Sequence, residues 1–151
     1  MEISKINFEE IKELIPHREP FLFIDELINI KKLEKATGVK TFSSEDIIFD
    51  GHFPNHPVVP GVILIEMLAQ TAAALIAFSI KNETFDKIVY LMNVEGSKFR
   101  KPVFPGDKIF SNVKAIRSKG RVWRFEGNAL NNKNENICEA KWSAMIMDRD
   151  K

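Results

Sequence analysis

Cysteine is nearly missing from this chain: Cys138 is the only one in 151 residues. That excludes an internal disulfide and leaves no second thiol for a thiolate metal site. Tyrosine is equally scarce, one against twelve phenylalanines, which predicts a dry, phenylalanine-rich interior. Neither sign of charge is in excess. With 22 basic and 21 acidic residues the formal net charge is +1, which argues against a general nucleic-acid binder. There is no GxGxxG, Walker-type loop or GxSxG motif, so nucleotide-binding and serine-hydrolase readings have no foothold. No internal repeat or linker-like stretch breaks the chain, whose length suits a single domain over 1–151. The opening MEISKINFEEIKEL carries acids and lacks an apolar stretch of signal-peptide length, so a cytoplasmic location is expected.

One long apolar run is present, GVILIEMLAQTAAALIAFSI over 61–80. It is long enough to cross a bilayer, for which ~20 apolar residues suffice. Glu66, Gln70 and Thr71 interrupt it, however, and no second span accompanies it. A carboxylate in lipid costs roughly 2.5–3.5 kcal/mol even on the gentler scales. A helix apolar on all sides is otherwise a helix enclosed by protein, and such a helix is predicted over about 60–80, with Pro60 in its first turn. Before it, Phe8, Ile11, Leu14 and Ile15 mark one face of a short helix ending before Pro16. PFLFIDELINI (20–30) and GVKTF (38–42) read as paired strands, and 43–57 as loop. Four strand-like segments follow at 87–95, 108–117, 121–130 and 137–147. The last alternates clearly, Cys138, Ala140, Trp142, Ala144 and Ile146 against Glu139, Lys141 and Ser143. Two strands, a buried helix and a four-stranded meander predict an α+β chain in which one antiparallel sheet wraps the helix, the hot-dog architecture.

The chemistry lies between His52 and Gln70. Pro54, Pro57 and Pro60 stiffen the loop that carries His52. Gly61 follows at the helix start, where unpaired N–H groups and a partial positive charge gather and a ligand oxygen can approach the backbone. Glu66 lies one to two turns further on, and Gln70, four residues beyond, shares its face and could hold its carboxyl. A base of near-neutral pKa, a buried acid and an anion-stabilising backbone site are the parts needed for proton abstraction beside a carbonyl. Each has a plainer reading. His52 could satisfy a turn, Glu66 could pair with His17 or Arg18, and Gly61 could merely allow tight packing. His52 and His56 also form an HxxxH, but Pro54 and Pro57 forbid the helix that would align them on a metal. The runs KFRK (98–101) and RSKGRVWR (117–124) are either solvated strand edges or a docking surface for an acidic partner.

These segments, LIPHREPFLFIDEL (14–27), GHFPNHPVVPGVILIEMLAQ (51–70), SKFRKPVFPGD (97–107) and EAKWSAMI (139–146), resemble the FabZ-type (3R)-hydroxyacyl-acyl carrier protein dehydratases along nearly the whole chain. The resemblance implies a hot-dog fold that dimerises through its sheet and assembles into a trimer of dimers. It implies that His52 of one subunit faces Glu66 of the other, the first removing the alpha proton and the second protonating the departing hydroxyl. The Gly61 N–H would polarise the thioester, the Val58 carbonyl would orient His52, and Gln70 would support Glu66. The substrate would ride on the phosphopantetheine of acyl carrier protein, with no metal, nucleotide or flavin, and the product would be a trans-2-enoyl thioester for fatty acid biosynthesis. Lys98, Arg100, Lys101 and Arg121 are the candidate carrier contacts. Glu19, Met67-Leu68 and Gly96-Ser97 depart from the usual family residues and bear on chain-length preference. A hot-dog thioesterase, a non-catalytic acyl-binding relative and a dehydratase of a polyketide or aryl-polyene pathway remain alternatives.

Overall fold

A computed structural model describes residues 3–80 and 87–148. The elements run β1 (Ile3–Ile6), α1 (Phe8–Leu14), β2 (Glu26–Lys31), β3 (Lys35–Thr41), a 3₁₀ turn at Ile47–Phe49, α2 (Gly61–Ser79), β4 (Lys87–Phe99), β5 (Lys108–Lys119), β6 (Val122–Asn131) and β7 (Asn136–Asp148). All strands pair antiparallel in one seven-stranded sheet of order β1-β2-β3-β5-β6-β7-β4. The chain leaves β3, runs through α2 and rejoins the sheet at its far edge as β4. It then returns beside β3 as β5 and fills the gap with the hairpins β5-β6-β7. That path encloses α2, and the α+β hot-dog fold expected from the residue pattern is the one observed.

Burial, not amphipathicity, holds α2. Thirteen of its side chains are buried, and 72% of its apolar window lies inside the protein despite a length and composition that would suit a membrane. Each fully buried Leu or Ile contributes roughly 1.5–3 kcal/mol, far more than helix propensity supplies per residue. Trp142 and Phe125, stacked at 5.7 Å, cover it from β7 and β6. Helix α1 is set by a signal that the apolar spacing does not show. Asn7 caps the Glu10 N–H at 2.9 Å while the Glu10 carboxylate accepts from the Asn7 N–H at 3.0 Å, a reciprocal capping box.

Several expectations are corrected. Strand β1 has no counterpart in the pattern reading, because four residues show no usable period. The predicted strand 20–30 begins only at Glu26; backbone groups of residues 21 and 23 bond the Gln70 side chain in place of a neighbouring strand. Strand β4 runs past residue 95 to Phe99, because Gly96 at φ 63° sits within an irregularity between Glu95 and Lys98 and lets pairing resume. The dry aromatic interior holds for Phe23, Phe42, Phe49, Phe78 and Phe125, whereas Phe21, Phe53, Phe99 and Phe104 are 41–53% exposed.

Candidate active site

The proline-rich loop holds His52 by its backbone. The Val58 N–H donates to the His52 carbonyl at 2.9 Å, Phe53 and His56 exchange two further backbone bonds, and the Val59 N–H donates to Val103 O at 2.8 Å. Within this frame Nδ1 of His52 lies 2.8 Å from the Val58 carbonyl, and the imidazole stacks on Phe53 with centroids 3.9 Å apart. A carbonyl oxygen can only accept, so Nδ1 carries a proton, and in the uncharged tautomer the lone pair is on Nε2. The loop thereby selects Nε2 as the nitrogen that can act as a base. His56 diverges, its ring edge-on to Phe104 at 6.3 Å.

Glu66 is prepared in the opposite sense. Its side chain is 24% exposed beside Ala69, Ala73, Val89, Leu91 and Ala144, which with His17 and Gln70 line a cavity of about 60 Å³. Burial pushes the Glu66 pKa up from its ordinary value, opposed by the hydrogen bond from Gln70. Gln70 is 1% exposed and fully engaged. Its amide nitrogen donates to Glu66 Oε2 at 2.9 Å and to the Phe21 carbonyl at 3.0 Å, while its oxygen accepts from the Phe23 N–H at 2.8 Å. A rotated amide would put a donor against a donor, so the network fixes its orientation and that of the carboxyl. Of the two bases that could pair with Glu66, Arg18 turns away to the carbonyls of Ile15, His17 and Lys12. His17 stays, its Nε2 3.7 Å from Oε2.

Gly61 opens α2, and its N–H is one of those with no intrahelical acceptor. A Cβ there would come within 2.9 Å of the Phe99 ring, so close packing also favours glycine at this position. Gly61 shares a groove of about 460 Å³ with Phe99, Arg100 and Lys101. His52 is on the wall neither of this groove nor of the cavity beside Glu66. Lys98, Arg100 and Lys101 stand together at the start of β7, with Arg100 on Glu139 and Lys101 on Glu135 at 2.6 Å. Arg121 does not join them. Its carbonyl accepts from Ile146 near the other end of β7, roughly 25 Å away at ~3.3 Å per residue. The residues missed by spacing arguments are the backbone groups of Phe21 and Phe23, whose sequence signal was only the unusual apolar run PFLF.

Superposition on solved structures defines the class first. The dehydratase heterocomplex ApeI:P from Xenorhabdus doucetiae matches with a TM-score of 0.80 over 93% of this chain and 92% of that one, at 16% identity, a likeness of fold. Sequence then narrows it. The model of the FabA-like domain family matches residues 15–141. The 3-hydroxyacyl-[acyl-carrier-protein] dehydratases FabZ of Granulibacter bethesdensis and Rhodospirillum rubrum are 42% and 43% identical, covering 94% and 97% of this chain and 83% and 91% of their own. The chain belongs to the FabZ dehydratases of the FabA-like family.

Proposed function

We propose that this chain is a hydro-lyase that removes water from (3R)-3-hydroxyacyl chains carried on acyl carrier protein, yielding the trans-2-enoyl thioester in fatty acid biosynthesis. The observation that carries the reading is the different preparation of two groups in a member of this family: His52 is anchored through Nδ1 on Val58, which assigns Nε2 the part of base, and Glu66 is held towards its protonated form by burial. His52 Nε2 takes the proton alpha to the thioester carbonyl. The carbonyl oxygen gains negative charge and is met by the Gly61 N–H at the positive end of α2. As the C–O bond breaks, Glu66 gives its proton to the departing hydroxyl, which leaves as water. Imidazolium and carboxylate remain, and solvent returns the proton from one to the other. Overall the elimination leaves oxidation state unchanged.

The two groups meet between two copies of the chain. Strand β4 is a thirteen-residue sheet edge, exposed along Tyr90–Phe99, with Tyr90, Leu91, Met92 and Val94 carrying apolar surface outward. Such an edge is a template for a second strand, and Val89 and Leu91 on it already wall the Glu66 cavity. A partner seated there brings its own His52 loop to this Glu66. The thioester arm then enters by the Gly61 groove, where Arg100 and Lys101 meet an acidic carrier.

The test is purified protein with a 3-hydroxyacyl thioester, followed by enoyl absorbance and thiol release together. Enoyl signal without thiol is expected; thiol release would make it a thioesterase, and silence a binding protein. His52→Ala and Glu66→Gln should each lower kcat by ~10²–10⁴-fold. Mixing the two inactive variants should restore partial activity, because a hybrid dimer has one intact site. No recovery despite demonstrated subunit exchange would confine the site to one chain.

A further inference from the structure

Among the described residues Glu66 has two polar side-chain neighbours, Gln70 and His17, and both address the same oxygen. Gln70 donates to Oε2 at 2.9 Å, and His17 Nε2 stands 3.7 Å from that atom across the cavity of about 60 Å³ that both residues line. The opposite ring nitrogen of His17, Nδ1, is buried with no hydrogen-bond partner among the described residues. That orphan decides the tautomer. A buried N–H without an acceptor is rarer than a buried lone pair without a donor, so the proton belongs on Nε2, facing Glu66, and the bare lone pair on Nδ1. Burial, and then the charge of Arg18, lower the pKa of His17 and keep the ring neutral. The guanidinium of Arg18 is itself spent on three backbone carbonyls, so it does not compete for the carboxyl.

We propose that His17 is a positioning residue for the acid: with Gln70 it sets two N–H donors on Oε2 of Glu66 and so leaves the carboxyl proton on Oε1, the oxygen that meets the departing hydroxyl. An oxygen that accepts from two donors is the poorer place for a proton, and the carboxyl has only two oxygens to choose from. At 3.7 Å the contact is longer than a hydrogen bond, and the second donor reaches Oε2 once the ring moves about 0.5 Å closer. The small residues on the remaining walls, Ala69, Ala73 and Ala144, leave the ring room to close that gap.

This proposal rests on Glu66 being the acid, and the experiment separates the two. The enoyl-forming rate is measured for His17→Leu, His17→Gln, Glu66→Gln and the double variant His17→Leu/Glu66→Gln. His17→Leu is expected to lower kcat about tenfold with KM within about twofold, since it removes a contact that matters at the transition state. His17→Gln keeps an N–H donor and should recover most of the rate. In the Glu66→Gln background, His17→Leu should cost nothing more, because the group through which it acts is gone. Equal loss in both backgrounds, or equal loss with Leu and Gln, would make His17 structural and overturn the proposal. A wild-type rate for His17→Leu would do the same. Near-normal turnover by Glu66→Gln would instead overturn the role of Glu66 itself. If His17→Leu does not fold, His17→Asn, whose shorter amide cannot reach Oε2, replaces it against His17→Gln.

Discussion

Gln70 and Phe23 lie 47 residues apart in sequence, yet the Gln70 side-chain oxygen accepts the Phe23 backbone N–H at 2.8 Å inside the core. The bond does two jobs. It satisfies a buried amide that would otherwise belong to a sheet ladder, and it orients the amide whose other end holds Glu66. The segment around Phe21 and Phe23 is diverted from the sheet to hold Gln70 and, through it, the Glu66 carboxyl.

Gln70→Leu therefore breaks structure and chemistry together. It leaves the Phe23 N–H and the Phe21 carbonyl unpaired in the interior, at about 1–3 kcal/mol for a buried unsatisfied group. Denaturant unfolding should show a loss of that size, and kcat should fall more than KM rises as the carboxyl loses its anchor. Unchanged stability would mean that water satisfies both backbone groups.

The pH dependence of stability carries the imprint of His17. Its folded-state pKa lies below the ordinary 6.5, through burial first and the Arg18 charge second. Unfolded chains thus bind more protons than folded ones in that interval; the stabilisation is complete above 6.5 and is lost as pH falls through the lowered folded value. Glu66 has the opposite sign. Its folded pKa is raised above 4.5, so its contribution is complete below 4.5 and is lost as pH rises through the folded value. Comparing wild type with His17→Gln isolates the first effect, and the variant should gain stability relative to wild type between pH 8 and 5. Urea midpoints that stay parallel across that range would show that His17 is not held neutral by the fold.

The exposed edge of β4 makes a prediction about assembly. Met92→Lys with Val94→Lys places two charges on the exposed apolar edge that the proposed dimer would cover. Sedimentation should show a shift to monomer, with turnover falling in proportion, as the proposed two-subunit site requires. A monomeric variant of normal activity would show that one chain contains the whole site.

Lys98, on the exposed end of β4, makes no ion pair within 4 Å among the described residues, unlike Arg100 and Lys101 on Glu139 and Glu135. Its charge still acts on Glu139 across the strands, and it tests the proposed carrier surface. Lys98→Glu should weaken use of carrier-bound substrate, more at low salt than at high, and spare a short free thioester. Equal loss on both substrates would place Lys98 in the fold. Arg121→Glu, at the other end of β7, should have a different and smaller effect.

How much could be read in advance depended on whether the signal was local. The apolar run of α2, the alternation of β7, the proline-stiffened loop at His52 and the four-residue step from Glu66 to Gln70 are short-range patterns. The backbone periods of 3.6 and 2 project them onto faces regardless of the rest of the chain. The same patterns singled out His52 and Glu66 on either side of the start of α2 in sequence, as a candidate base and acid. Only tertiary structure decided that Phe21 and Phe23 leave the sheet for Gln70, that β4 runs on past Gly96 as an exposed edge, that Arg121 lies far from Lys98, and that His17 rather than Arg18 stands against Glu66. Those outcomes rest on contacts dozens of residues apart. Their energy comes from burying groups that have no partner nearby in sequence, so no local pattern could foretell them.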